Sequence, residues 1–325
     1  MSTSSSTTIA LDQPGYFDRQ AIDDRVIPFF NENGFLVVTG TLSPEEIDEL
    51  IDETAAICRG ERGDFTQGKV TPDSVKSLSD EEVISQFLCI HQTHKCSPLM
   101  HRYLAHPVIV DVLTRVIGPN VKAMQSMLFI KASGKPGQAW HQDEDYIPTR
   151  DRSLCGAWIA MDDATLDNGC LWIIPGSNKP GILWPQFPHN DPRFDCAMES
   201  YNFPYRDEDA VPVEVPRGSI VFFNGYTLHR SLPNRAPAGR FRRVLVNHYM
   251  SAESFLPWHA KEKVAVAKSD YRDIVMIAGK DPHAWKGTED IARPHVRAAG
   301  DGGCGDGRTD LKTFKEQNRP DKAHL

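Results

Sequence analysis

Apolar positions recur at helical spacing through Ile47, Leu50, Ile51 and Ala55, directly behind Ser43, Pro44, Glu45 and Glu46. A Ser N-cap, a Pro in the first turn and early acids are helix-start signals, so a helix with one buried stripe is predicted from Pro44 toward residue 60. An extended apolar stretch over 34–39 precedes it. A short helical block follows Ser79, and a longer helix is predicted over 98–117, where Leu99, Tyr103, Leu104, Val108, Val110, Val112, Leu113 and Val116 form the buried face. Gly118, Pro119 and Asn120 end it.

Beyond Asn120 the pattern changes to short β-branched or aromatic runs at 121–130, 155–161, 170–174, 211–215, 219–223 and 243–250, bounded by Gly, Pro, Asn and Asp. The expected fold is mainly β with flanking helices, a sandwich or jelly roll behind an α-helical N-terminal third, and of these the double-stranded β-helix (jelly roll, cupin-like) core is the form expected. No repeat or composition break marks a second domain. A disordered N-terminal tail over 1–14, one domain over 15–298 and a Gly-rich C-terminal tail over 299–325 are expected. Residues 184–211, rich in Pro, Asp and aromatics without a clear period, predict a functional loop or lid.

The 325 residues are 40% hydrophobic and 25% charged, as in an ordinary globular chain. The net charge of −8 has the wrong sign for a phosphate-backbone binder, which excludes nucleic acid as the expected partner. No run approaches the roughly 20 apolar residues of a membrane span, and the first residues lack a basic and apolar leader. Seven cysteines without a CxxC pair are expected to be reduced thiols, which places the protein in the cytoplasm. Oligomeric state leaves no sequence signal.

The chemistry concentrates at Trp140-His141-Gln142-Asp143. A His and an Asp two apart on an extended segment project from one face and can share a metal. With a distant His, they form the two-His-one-carboxylate set that leaves positions open on non-haem Fe(II). His229 is the candidate, because Ser231 and Arg240 follow it and could hold a distant carboxylate, the Arg in a bidentate fork. His189-Asn190-Asp191 repeats the spacing but lies between prolines and reads as loop. His248 reads as a core histidine or one beside the site, and His91, His94, His101 and His106 as packing or surface residues. Glu144, Asp145 and Tyr146 are positioned to edge the pocket or to lie in an exposed loop, and Arg242 and Arg243 read as strand-surface charges. Two rivals share these residues: a binding module without turnover, and a cupin-type oxygenase that does not use 2-oxoglutarate.

From Val26 to Met250 the chain resembles the phytanoyl-CoA dioxygenase family of Fe(II)- and 2-oxoglutarate-dependent oxygenases. The resemblance is carried in order by Gln125-Ser-Met127, Trp140-His-Gln-Asp143, Gly156-Ala-Trp158, Asn168 to Ser177, His229-x-Ser231-x-x-Asn234 and Arg240. It is nearest to the branch of phytanoyl-CoA dioxygenase domain-containing proteins, particularly over 158–177. It implies that His141, Asp143 and His229 bind Fe(II), that Arg240 and Ser231 grip the distal carboxylate of 2-oxoglutarate, and that Met127 and Trp158 line the cosubstrate pocket. Leu88 stands where relatives often carry a Lys that helps bind 2-oxoglutarate. Asn178 stands where His is usual, and Gly176 and Ser177 read as a turn shaping the pocket rim. Asp143 leaves no vacant ligand position for a halide, so hydroxylation or a related oxidation is expected. The implied reaction consumes 2-oxoglutarate and O2 and releases succinate and CO2 as a small-molecule substrate is oxidised. The acidic groups after His141 and the net charge favour a neutral or cationic small molecule over the anionic CoA group.

Overall fold

The computed structural model describes residues 9–254, 274–288, 290, 292–297 and 308–318. Its helices are α1 (Val26–Asn33), α2 (Pro44–Cys58), α3 (Asp80–Ile84), α4 (Pro98–Arg102), α5 (Pro107–Val116), α6 (Asp143–Tyr146) and α7 (Leu311–Gln317). Its strands are β1 (Tyr16–Asp18), β2 (Phe35–Thr39), β3 (Cys89–His91), β4 (Val121–Lys131), β5 (Gln138–His141), β6 (Cys155–Ala160), β7 (Leu171–Ile173), β8 (Gln186–Phe187) and β9 (Glu199–Ser200). They continue with β10 (Val211–Val213), β11 (Ile220–Asn224), β12 (His229–Ser231), β13 (Arg242–Ser251), β14 (Val275–Ala278) and β15 (His295–Arg297).

The start of α2 is as its sequence predicts. The Ser43 Oγ accepts from the Glu46 N–H at 3.3 Å, and the Ser43 N–H donates to Glu46 Oε2 at 2.8 Å, a reciprocal capping box. The predicted 98–117 helix is instead broken between α4 and α5. His106 precedes Pro107 and takes an extended ψ of 135°, because the proline ring clashes with a helical predecessor.

Two sheets define the core. The larger runs β1-β2-β11-β6-β13-β4-β3-β15, with β14 also paired to β4, and the smaller runs β10-β7-β12-β5. Strands of the larger sheet are apolar on both faces, and their period of two sorts side chains between two clusters. Leu36, Ala157, Ile159, Ile220, Phe222 and Leu245 meet the α2 and α5 residues Ile47, Leu50, Ile57, Ile109 and Leu113. Their neighbours Val37, Trp158, Ala160, Val221, Phe223 and Val246 face Leu171, Ile173 and Val213 of the segments around the smaller sheet. Helices thus cover one face of the large sheet and the small sheet covers the other.

The expectation of a helical N-terminal third is corrected: β1, β2 and β3 come from it and sit in the large sheet. All five residues of β2 are buried, because both faces are covered, and a run of four apolar residues closed by Thr39 suits an interior strand. Cys58, Cys89, Cys96, Cys155 and Cys170 are free. Cys196 is disulfide-bonded, correcting the expectation of seven thiols, since an odd count leaves room for a pair. Cys304 lies outside the described residues. Among the described residues no helix is long and apolar enough to cross a membrane.

Candidate active site

Antiparallel β5 and β12 set His141 directly opposite His229, with ring centroids 4.1 Å apart. The His141 Nδ1 lies 2.8 Å from the Ala139 carbonyl oxygen, and the His229 Nδ1 lies 3.0 Å from that of Thr227. Carbonyl oxygens only accept, so each Nδ1 carries the proton and each Nε2 keeps a lone pair for a metal. Asp143 is not on the strand, as the His-x-Asp spacing suggested, but opens the single turn of α6. The turn still brings Asp143 Oδ1 to 3.5 Å from His141 Nε2 and 3.7 Å from His229 Nε2. One ligand atom from each of the three residues lies within 4.8 Å of the others. Burial, with the His229 ring adding to it, pushes the His141 imidazole down to about 3, so it stays neutral and able to ligate. Burial alone would raise Asp143, but His229, His248 and His141 outweigh it and hold the carboxyl below its usual range. Two imidazoles and one carboxylate, gathered at a sheet end, suit a non-haem Fe(II) ion.

The residues around the triad fix its aim. Gln142 turns away from the site, where its Nε2 donates to the carbonyls of Tyr226 (2.7 Å) and Ile182 (2.9 Å) and its Oε1 accepts from the Trp184 N–H (2.8 Å). His248 does what an ordinary strand residue would not. Its Nε2 lies 2.9 Å from Asp143 Oδ2, and since a carboxylate only accepts, the imidazole donates. That bond holds Oδ2 and turns Oδ1 toward the two imidazoles. His248→Ala is expected to weaken Fe(II) binding about tenfold, the effect of losing a hydrogen bond that orients a ligand. Competition against a chromogenic chelator measures it, and unchanged affinity would refute the role.

The cosubstrate end of the cavity follows from strand register. Met127 of β4 pairs with Val246 of β13, which pairs with Trp158 of β6, so all three face the small sheet. Met127, Trp158 and Ser231 line the same cavity as the triad. Further along the row Phe129 faces Val244, and at the end Lys131 faces Arg242. Arg240 is not there. It is exposed on the turn between β12 and β13, and its carbonyl oxygen is held at 2.8 Å by Asn234 Nδ2, which also donates to the Lys131 carbonyl. That pinned turn adds residues before β13 begins, so the basic residue delivered to the cavity is Arg242, read from sequence as a surface charge. Arg242 is 4% exposed, its Nε has no partner, and its guanidinium lies 5.5 Å from the centre of the Trp158 ring. Arg243, on the other face, pairs with Asp162 at 2.6 Å.

Leu88 lines the cavity, so a side chain without charge stands at that wall. Glu144 points away: it is buried, accepts from the Thr149 N–H and hydroxyl, and burial raises it to about 7. The Tyr146 ring stands 6.4 Å from that of His141 and is 42% exposed. The 184–211 segment carries the β8–β9 hairpin and sends Asp195 into the cavity wall. His189-Asn190-Asp191 is a loop, with Asp191 paired to Arg193. Asn168 and Ser177 act as pins: Asn168 Nδ2 donates to the carbonyls of Asp163 and Phe241, and Ser177 Oγ joins Leu228 N to Ile174 O.

A jelly-roll cavity with two histidines and one carboxylate at one end and a lone buried guanidinium at the other defines the class of non-haem iron oxygenases that use a 2-oxo acid. The sequence model of the phytanoyl-CoA dioxygenase (PhyH) family matches residues 30–244, and the chain belongs to that family. It is similar to the peroxisomal phytanoyl-CoA dioxygenase of Rattus norvegicus, with 30% identity over 246 residues covering 69% of this chain and 67% of the relative. It is similar also to phytanoyl-CoA dioxygenase domain-containing protein 1 of Danio rerio, with 28% identity covering 72% of this chain and 91% of that protein. Among solved structures, the non-heme monooxygenase ThoJ matches with a TM-score of 0.58 at 18% identity, over 89% of this chain and 93% of that one. EctD from S. alaskensis, solved with 2-oxoglutarate and 5-hydroxyectoine, matches with a TM-score of 0.52 at 20% identity, over 76% of this chain and 80% of that one. At these identities the structural matches speak to the fold. The chain is an Fe(II)- and 2-oxoglutarate-dependent dioxygenase.

Proposed function

We propose that His141, Asp143 and His229 hold Fe(II), that Arg242 and Ser231 bind the distal carboxylate of 2-oxoglutarate beside Met127 and Trp158, and that the enzyme hydroxylates a small organic substrate. The observation that carries this reading is the buried Arg242 guanidinium, which has no carboxylate partner among the described residues and lines the cavity that holds the triad. An unpaired buried cation is costly, and a dicarboxylate whose 2-oxo end meets the metal supplies its counterion. Fe(II), when bound, supplies the redox chemistry by which 2-oxoglutarate and O2 become succinate and CO2 while a substrate C–H becomes C–OH. The chain's own part is to fix three ligands, orient the cosubstrate between Trp158 and Met127, and keep water out with apolar walls. β1 and β15, near the two ends of that span, share the large sheet, which supports one domain over 15–298.

Aerobic incubation with Fe(II) and 2-oxoglutarate tests the function. Succinate above the no-enzyme control, abolished by a chelator and restored by Fe(II), is the expected result, with the rate rising when an oxidisable substrate is present. Succinate at the control level from iron-loaded protein, across a panel of small molecules, would overturn it.

A further inference from the structure

We propose that Lys131 is a second cation at the distal-carboxylate end of the cavity, and that with Arg242 it selects a dicarboxylate 2-oxo acid over one that ends in a methyl group. The proposal rests on the iron and 2-oxoglutarate reading above.

Lys131 ends β4 on the face that carries Met127 and Phe129, is 3% exposed, and lines the cavity. Its partner across the ladder is Arg242, so two basic side chains stand side by side on one buried face. The three hydrogen-bond acceptors of the ammonium are all neutral: the Leu232 carbonyl at 2.7 Å, Ser231 Oγ at 2.9 Å and the Gly169 carbonyl at 3.2 Å. Neither cation has a carboxylate partner among the described residues, and the nearby Asp195 is committed to Arg297 at 3.3 Å. Burial first, and Arg242 beside it, push the ammonium well below its usual range. Two adjacent desolvated cations repel, and a carboxylate arriving between them removes that cost.

Ser231 shows how the lysine reaches the ligand. The Ser231 Oγ accepts from Lys131 Nζ and also from the Gln138 N–H at 3.3 Å. A hydroxyl has two acceptor sites and one proton to give. With both sites taken by protein donors, the Ser231 hydroxyl is left as a donor, and it lines the cavity. Lys131 therefore contributes charge directly and fixes Ser231 as a donor toward an anion. In this second part it is a positioning residue.

The test is anaerobic titration of Fe(II)-loaded enzyme with 2-oxoglutarate and with 2-oxovalerate, which has the same chain length and a methyl terminus. Wild-type protein is expected to prefer 2-oxoglutarate. Lys131→Gln, which keeps donors but no charge, is expected to lower that preference about tenfold while leaving 2-oxovalerate affinity unchanged. Lys131→Arg is expected to keep the preference. Should the glutamine variant not fold, Lys131→Met, which needs no buried partner, carries the same comparison. Equal loss of both ligands would make Lys131 a structural prop only, and no change in either would remove it from the site; both outcomes overturn the proposal. Failure of wild-type protein to bind either acid would instead sink the iron and 2-oxoglutarate reading.

Discussion

Arg242→Ala is expected to raise the 2-oxoglutarate concentration for half-maximal succinate release about a hundredfold, the scale of a lost charge-assisted bidentate contact. Arg240→Ala is expected to leave that concentration unchanged. The two residues are two apart and chemically identical, so the contrast isolates position. Arg242 is buried on the cavity face opposite Lys131, and Arg240 is exposed on a turn. At saturating 2-oxoglutarate the Arg242 variant should recover much of its rate, since the iron ligands are untouched. Its ligand-free fold should melt no lower than wild type, because an unpartnered buried guanidinium is itself a cost to the empty protein. Steady-state succinate assays across cosubstrate concentration measure the effect. A shift produced by Arg240→Ala and not by Arg242→Ala would reverse the assignment.

His229→Ala is expected to lose Fe(II) on desalting and to cut succinate release by about a hundredfold or more, since even the residues that merely orient a metal ligand are worth ten- to a hundredfold. The fold should survive. His229 is held in the small sheet by backbone pairing with His141 and Ile173, which alanine keeps. What is lost is one donor from a buried set of three, the Nδ1 bond to the Thr227 carbonyl and the packing of the ring 4.7 Å from that of Phe223. Iron content after desalting, measured beside the far-ultraviolet circular dichroism, separates loss of metal from loss of fold. Retained iron and wild-type turnover would exclude His229 as a ligand.

The triad was legible because each of its residues stands in a short motif whose spacing survives folding. His141 and Asp143 are two apart on any backbone that turns once after a strand, and His229 is marked by the Ser two residues on. The basic residue was harder to read: Arg240, expected at the cosubstrate end, is exposed on a turn, and Arg242 is the arginine of this stretch that lines the cavity. Between Ser231 and β13 the chain makes an excursion pinned by Asn234, and no residue count predicts how many positions such a turn absorbs. Period-two reading from Met127 could have found Lys131, since 127, 129 and 131 share a face, and the same reading back from Val246 reaches Arg242. Of the N-terminal strands only β2 was legible, as the extended stretch over 34–39, whereas β1 and β3 are three residues each and too short for a period to show. His248 stood between a core histidine and one beside the site, and the contact that decides for the second lies 105 positions away in the chain.

The most direct test of the central claim is anaerobic addition of Fe(II) and 2-oxoglutarate to the purified protein, followed in the visible spectrum. A weak charge-transfer band near about 500 nm, as expected for a 2-oxo acid chelated to ferrous iron, that saturates with 2-oxoglutarate and is missing from His141→Ala is the predicted result. No band from folded, iron-loaded wild-type protein, or an equal band from His141→Ala, would contradict the assignment of this cavity as the iron and 2-oxoglutarate site.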